Sequence, residues 1–268
     1  MKNDKPSIIV VLGIVLLLIA SSYYFYEITS VRWSQPAKST LNVSINTPFP
    51  PFEYKQGDKF TGFDIELAKK IGDKLDRQVI INDYSDFSSI FIAVEDGKAD
   101  FAISGITITE DRDMVSDFSD PYYNTSQALL TLKKNNIKFS SENMSIQDFR
   151  GMSVGYQELT TSQTWVENNL NNEILKENTS FSDLNIGLQS LRLGGINGLI
   201  LDESVANTLV RNYPDLTISG IIKTNEQYGI AVKEGDPQKL LPEINAVIKE
   251  MKENGEYDKL IKKYFNGD

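Results

Sequence analysis

The spacing of apolar positions changes several times along the 268 residues. Leu41 to Ile45 alternates apolar and polar residues, the period of a strand with one buried face. From Phe63 the period lengthens. Phe63, Leu67, Ile71 and Leu75, with Ile65 and Ala68 nearby, fall on one side of a helix over Phe63 to Leu75. Between the two lies Asn46 to Phe52 (NTPFPPF), whose three prolines exclude a helix or an inner strand. Lys55-Gln56-Gly57-Asp58 then reads as a turn. Further strands are expected at Val79 to Asn82, Asp100 to Ser104, Gln127 to Lys133, Ser153 to Tyr156, Gly198 to Leu201, Thr217 to Ile222 and Gly229 to Val232. Helices are expected at Ser88 to Glu95, Thr161 to Leu170, Asp183 to Leu193, Glu203 to Arg211, Pro237 to Asn254 and Tyr257 to Tyr264. Strands alternating with helices predict an α/β protein with mostly parallel sheets. Two such units follow one another, one before Gln127 and one after it. The two closing helices have no strand partner of their own, and they suit the first unit if the chain crosses back.

The N-terminal pattern is different. Lys2 and Lys5 precede an apolar run, Ile8 to Ala20, interrupted only by Gly13 and followed by Ser21-Ser22-Tyr23-Tyr24-Phe25-Tyr26. With its aromatic tail the run approaches the roughly 20 residues that span a bilayer, and the aromatics would sit at the far interface with the lysines inside. Residues 1–30 are therefore expected to be a membrane anchor or a signal peptide. The anchor is favoured, because no small-x-small cleavage site stands near Ala20 to Ser22. Residues 31–40 read as a polar tether broken by Pro36, and everything beyond is expected outside the cytoplasm: membrane-anchored, or secreted or periplasmic if the leader is cut.

Composition narrows the chemistry. There is no cysteine and no histidine. That removes disulfides, thiolate metal sites, Cys or Ser-His-Asp nucleophiles and nearly every ordinary zinc site. A formal net charge of −10 argues against nucleic acid as a partner.

The most informative stretch is Ile103 to Tyr123, ISGITITEDRDMVSDFSDPYY. It sets Ser104, Gly105, Thr107 and Thr109 at a strand end just before Arg112. Hydroxyls and backbone N–H groups at a strand-to-helix turn make an anion cradle. A guanidinium beside them offers a planar fork for a carboxylate. Asp202 follows the apolar strand Gly198 to Leu201 and precedes a helix, the place of an N-capping aspartate.

GFDIELAKKIGDKL, DFSSIFIAVEDGKADFAISGITITEDRD, DFSDPYY, EQYGIAV and ENGEYDKLIKKYF together resemble the extracytoplasmic solute-binding proteins for polar amino acids, family 3, which feed ABC importers. The resemblance runs from about Leu41 to Phe265. It implies a two-lobed periplasmic-binding-protein-like fold (type II) with two crossover strands, here near Ala128 to Leu132 and Asn225 to Gly229. Lobe one would be residues 41–130 plus 226–268, and lobe two 131–225. It also implies residue roles. Arg112 would hold an α-carboxylate beside the Thr107 hydroxyl and N–H, and Gly105 would offer its carbonyl to the α-ammonium. Asp202 would be the ammonium counter-ion from lobe two. Phe49 and Phe87 would flank the ligand side chain, with Phe52 in the core. VGYQELTTSQ matches a family loop written V-G-V-x-x-G-T-T, so Thr161 would supply a backbone N–H, and Gln157 and Ser162 would face the ligand side chain. Leu159 stands where the family usually has glycine. Asn46 stands where many relatives have aspartate, and no second arginine is apparent. Both observations favour a neutral polar amino acid such as glutamine.

The expected function is therefore the extracytoplasmic substrate-binding component of an ABC importer for a polar amino acid, closing about a hinge. It would be a monomer, without a cofactor or metal and without catalysis, working with a permease and its ATPase. Two alternatives stand beside it. One is a cyclohexadienyl-dehydratase-like enzyme, with Glu158 or Glu203 as the cleft acid. The other is an amino-acid-sensing ectodomain with a separate signalling partner.

Overall fold

The computed structural model describes residues 39–137, 139 and 144–265. The expected anchor and all but the end of the tether lie outside them. Among the described residues no helix is long and apolar enough to cross a membrane.

The chain begins with strand β1 (Thr40–Ile45), in which Leu41, Val43 and Ile45 are fully buried. The hairpin β2 (Tyr54–Gln56) and β3 (Lys59–Thr61) folds back around the turn at Gly57. Helix α1 (Phe63–Lys74) buries Phe63, Ile65, Leu67, Ala68 and Ile71, the stripe its spacing dictates. Then come β4 (Gln78–Asp83), α2 (Ser88–Glu95), β5 (Phe101–Ala102), the single turn α3 (Glu110–Asp113) and β6 (Ser116–Phe118). The long β7 (Tyr123–Leu132) leads into the second half. There β8 (Ser153–Gln157), α4 (Thr161–Asn169), β9 (Glu177–Phe181), α5 (Leu184–Leu193), β10 (Gly198–Asp202) and α6 (Glu203–Asn212) alternate. The chain returns along β11 (Leu216–Tyr228) to β12 (Ala231–Lys233), α7 (Leu241–Glu253) and α8 (Glu256–Phe265).

Two five-stranded sheets result, ordered β4-β1-β5-β12-β6 and β11-β7-β10-β8-β9. They are mixed rather than mostly parallel. Each has a parallel trio, β4-β1-β5 and β10-β8-β9, extended on one side by two antiparallel strands. The reason is the crossing itself. β7 and β11 run antiparallel as the chain leaves and comes back, and β12 enters the first sheet against its grain. Both crossover strands are longer than their apolar cores. They pair from Leu216↔Leu132 to Tyr228↔Tyr123, with an irregularity between Ile222 and Glu226.

The closing helices pack on α1, as their lack of a strand partner predicts. The Phe265 ring stacks on Tyr123 at 4.8 Å and meets Phe52 edge-on at 5.2 Å. Helix α7 starts four residues later than periodicity suggests. Lys239 takes a left-handed φ of 55°, and the Asp236 carboxylate accepts the N–H groups of Leu240 and Leu241 at 2.8 and 3.0 Å, which caps the helix there. Strand β9 has no continuous apolar run and is legible only from its parallel pairing with β8.

Candidate functional site

In open α/β sheets the carboxyl ends of parallel strands face the crevice, where loops can present side chains without breaking the ladder. Both sheets put such ends at one cleft. Asn46 follows β1, Ser104 and Gly105 follow β5, Gln157 ends β8 and Asp202 ends β10. A small cavity of about 20 Å³, room for about one water molecule, is lined by Asn46, Phe49, Phe87, Gly105, Thr107, Arg112, Gln157, Thr161 and Asp202. All nine were singled out from the sequence, whereas Ser162, expected beside them, is not part of this wall. Ser104 and Thr160 complete the wall. No amino acid fits this volume as it stands. Hydrogen bonds cross the cleft: Gln157 Nε2 donates to Asn46 Oδ1 at 3.2 Å, and Arg112 Nη2 donates to the Leu159 carbonyl at 3.2 Å.

Arg112 lies in α3, behind Thr109, whose hydroxyl accepts the Arg112 N–H at 3.3 Å. Its Nη1 donates to the Thr107 carbonyl at 2.7 Å, and its guanidinium carbon sits 5.1 Å from the Phe87 ring centre and 5.6 Å from that of Phe91. Burial lowers its pKa to about 10, against the opposing pull of Glu226 and Asp202, so it remains cationic at neutral pH. Phe87 thus packs a face against the cation.

Gly105 has φ 53°, and a Cβ there would overlap the Phe49 ring and crowd Tyr228. Only glycine lets the backbone run this close to the ring. Its N–H donates to Asp64 Oδ2 at 2.9 Å, and the Tyr122 hydroxyl donates to the same oxygen at 2.9 Å. Beside Asp64 lies Glu53, fully buried, accepting the Ser104 hydroxyl at 2.5 Å. Burial first, and the neighbouring Asp64 charge second, push Glu53 well above the carboxylate range, while burial raises Asp64 to about 6. A protonated Glu53 against an ionised Asp64 is the arrangement that two buried acids can sustain. The pair holds Ser104 and Gly105 from behind.

On the other lobe Asp202 occupies the N-cap position of α6, but its side chain makes no cap bond. It faces the cavity, and Gln127 Nε2 donates to its Oδ1 at 3.1 Å. Burial, and then the charge of Glu226, raise its pKa to about 8, with Arg112 pulling the other way. Leu159, at the family's usual glycine, takes the left-handed φ of 61° and leaves its side chain 57% exposed. The loop therefore keeps a glycine-like path. The Thr160 hydroxyl closes the turn onto the Gln157 carbonyl at 2.7 Å. The Ser162 hydroxyl points away from the cavity, to Gln127 Oε1 at 2.7 Å. Glu158 and Glu203, the candidate acids of a dehydratase, do not line the cavity.

Two residues of the site carry no local signal in the sequence. Gln127 on β7 and Glu226 on β11 are buried behind Thr107, Thr161 and Asp202, and Gln127 Nε2 donates to Glu226 Oε1 at 2.9 Å. They are 99 residues apart and meet only because the crossover strands pair.

The chain is 30% identical over 263 residues to the arginine-binding extracellular protein ArtP of Bacillus subtilis (strain 168), covering 94% of this chain and 98% of ArtP. The fold matches a solved ancestral arginine-binding protein bound to arginine with a TM-score of 0.77 at 36% identity, covering 85% of this chain and 99% of the other. An ancestral arginine-binding protein bound to glutamine matches with a TM-score of 0.76 at 36% identity, over 86% and 99%. Residues 41–267 match the family profile of the bacterial extracellular solute-binding proteins, family 3. With that match over most of the chain, and a two-lobed cleft assembled from both sheets, the chain belongs to the bacterial extracellular solute-binding proteins, family 3.

Proposed function

We propose that this chain captures a polar amino acid outside the cytoplasm and delivers it to an ABC importer. The observation that carries the reading is Arg112 from lobe one and Asp202 from lobe two on the walls of one cavity. A zwitterion brings an anion to the first and a cation to the second, so it favours the closed state by bridging the lobes. The aromatic walls Phe49 and Phe87 accept the aliphatic part of a side chain. Neutral Asn46 and Gln157, already hydrogen-bonded to each other, suit a side-chain amide, so glutamine is the leading ligand. Arginine is the second reading, favoured by the arginine-binding relatives. The N-terminal segment would tether the protein, as a monomer, to the outer face of the membrane, where the closed form meets permease and ATPase.

Thermal unfolding against the common amino acids, one at a time, tests the proposal. At about 100 times Kd a ligand adds roughly 2.7 kcal/mol, a rise of roughly 5–10 °C for a protein of this size. A rise with glutamine or arginine that Arg112→Ala abolishes is the expected result. A flat panel overturns the reading.

A further inference from the structure

Glu226 is the most heavily engaged carboxylate near the cleft. Its Oε2 accepts the hydroxyl of Thr107 at 2.8 Å and that of Thr161 at 2.7 Å. Its Oε1 accepts Gln127 Nε2 at 2.9 Å and the Thr224 hydroxyl at 2.7 Å. The position is built for this. Between the pairs Ile222↔Gln127 and Glu226↔Thr125, β11 carries three residues where β7 carries one, and Asn225 within that bulge has φ 54°. A bulge re-aims the side chain that follows it. Here it turns Glu226 toward the space between Thr107 and Thr161.

The two arms belong to different lobes. Thr107 travels with the end of β11: Ile108 N–H donates to the Gln227 carbonyl at 2.8 Å, Gly229 N–H donates to the Ile106 carbonyl at 2.9 Å, and Thr107 bridges to Tyr228. Thr161 is the first residue of α4 in lobe two. If the lobes part, the Thr107 arm stays whole and the Thr161 arm breaks. Each hydroxyl has one proton, and both are spent on Glu226. A ligand carboxylate would then rely on Arg112 and backbone N–H groups.

We propose that Glu226 is a hinge-borne latch, a positioning residue that ties lobe one to lobe two through Thr107 and Thr161 and so sets the closed fraction of the protein. It rests on the amino-acid reading only where affinity is measured. A charge-assisted hydrogen bond lost on opening is worth about tenfold or more in the closed-to-open ratio. Because the latch acts on closure and not on the ligand, that factor is the same for every ligand.

The chain has no cysteine, so Asp58→Cys and Asn172→Cys, one exposed position in each lobe, give a clean label pair for inter-lobe distances. Glu226→Gln, Thr161→Val and the double variant are compared with the parent, with L-glutamine and L-arginine as probes. Thr161→Val keeps the backbone N–H and removes the breakable arm, together with the longer contact from Gln127 Nε2 at 3.3 Å. The expected result is a closed fraction lowered by each single variant and no further by the double. With it, Kd for each probe that binds rises about tenfold by the same factor, through faster release. Unchanged distances, tighter binding, or factors that differ between the probes would overturn the latch. If neither probe binds the parent, the proposed function fails, and the ligand-free distances alone decide the latch.

Discussion

Asp202→Asn should stabilise the ligand-free protein while destroying its capacity to bind. Asp202 is 8% exposed, faces Glu226, and titrates near 8 where an aspartate ordinarily titrates near 3.8. The folded state therefore holds this proton more tightly than the unfolded chain does. Stability is unaffected below about pH 4, falls as pH rises, and the full penalty is reached above about pH 8. At pH 7 the proton has been lost from the unfolded chain over about three pH units, at roughly 1.4 kcal/mol each, which sets a ceiling of about 4 kcal/mol. Opening the cleft hydrates the carboxylate and relieves part of it, leaving about 1–2 kcal/mol. Asparagine matches the shape, accepts the Gln127 N–H as before and never ionises. Thermal unfolding from pH 4 to pH 8.5 should show no gain at pH 4 and a gain of roughly 2–8 °C at pH 8. Under the proposed function the same variant would lose the ammonium partner, and breaking one side of a buried charge pair costs about 2–5 kcal/mol, at least 30-fold in affinity. A shift independent of pH, or a lower melting temperature at pH 8, would refute the argument that the empty site bears the cost of this charge.

Four more outcomes follow from backbone and buried acids. Leu159→Gly should raise stability by about 0.5–1 kcal/mol in denaturant unfolding, because relief of the left-handed strain of roughly 1–2 kcal/mol outweighs the added chain entropy of roughly 0.4–1. Gly105→Ala should cost about 1–3 kcal/mol and weaken ligand binding by calorimetry, since its Cβ overlaps Phe49 at a positive φ. Glu53→Gln should be within about 1 kcal/mol of the parent at pH 7 and gain on it at higher pH, because Glu53 is already protonated there. Asp64→Ala should lose about 3 kcal/mol or more in the same unfolding assay, leaving the Gly105 N–H and Tyr122 hydroxyl without an acceptor.

Local physics made much of this protein legible in one dimension. The alternation of Leu41, Val43 and Ile45 and the stripe from Phe63 to Ile71 are set by which face must leave water, and both elements formed where the pattern placed them. One long family-like block, Asp86 to Asp113, contains the cavity-lining residues Phe87, Gly105, Thr107 and Arg112. Several of the cleft residues carry a short local signal of their own, such as a hydroxyl run before an arginine or an aspartate closing an apolar strand. What the sequence could not show are the contacts between segments far apart along it. The mixed sheets follow from β7 and β11, strands far apart along the chain, pairing from Leu216↔Leu132 to Tyr228↔Tyr123. Glu226 looks like any solvated acid until the bulge in β11 turns it between Thr107 and Thr161. Asp202 sits at a cap position, yet its carboxylate is drawn off the helix into the cleft. Hydrophobic period and backbone freedom are properties of neighbours in the chain, whereas burial and charge at a cleft depend on neighbours in space, and those existed only once the two lobes were assembled.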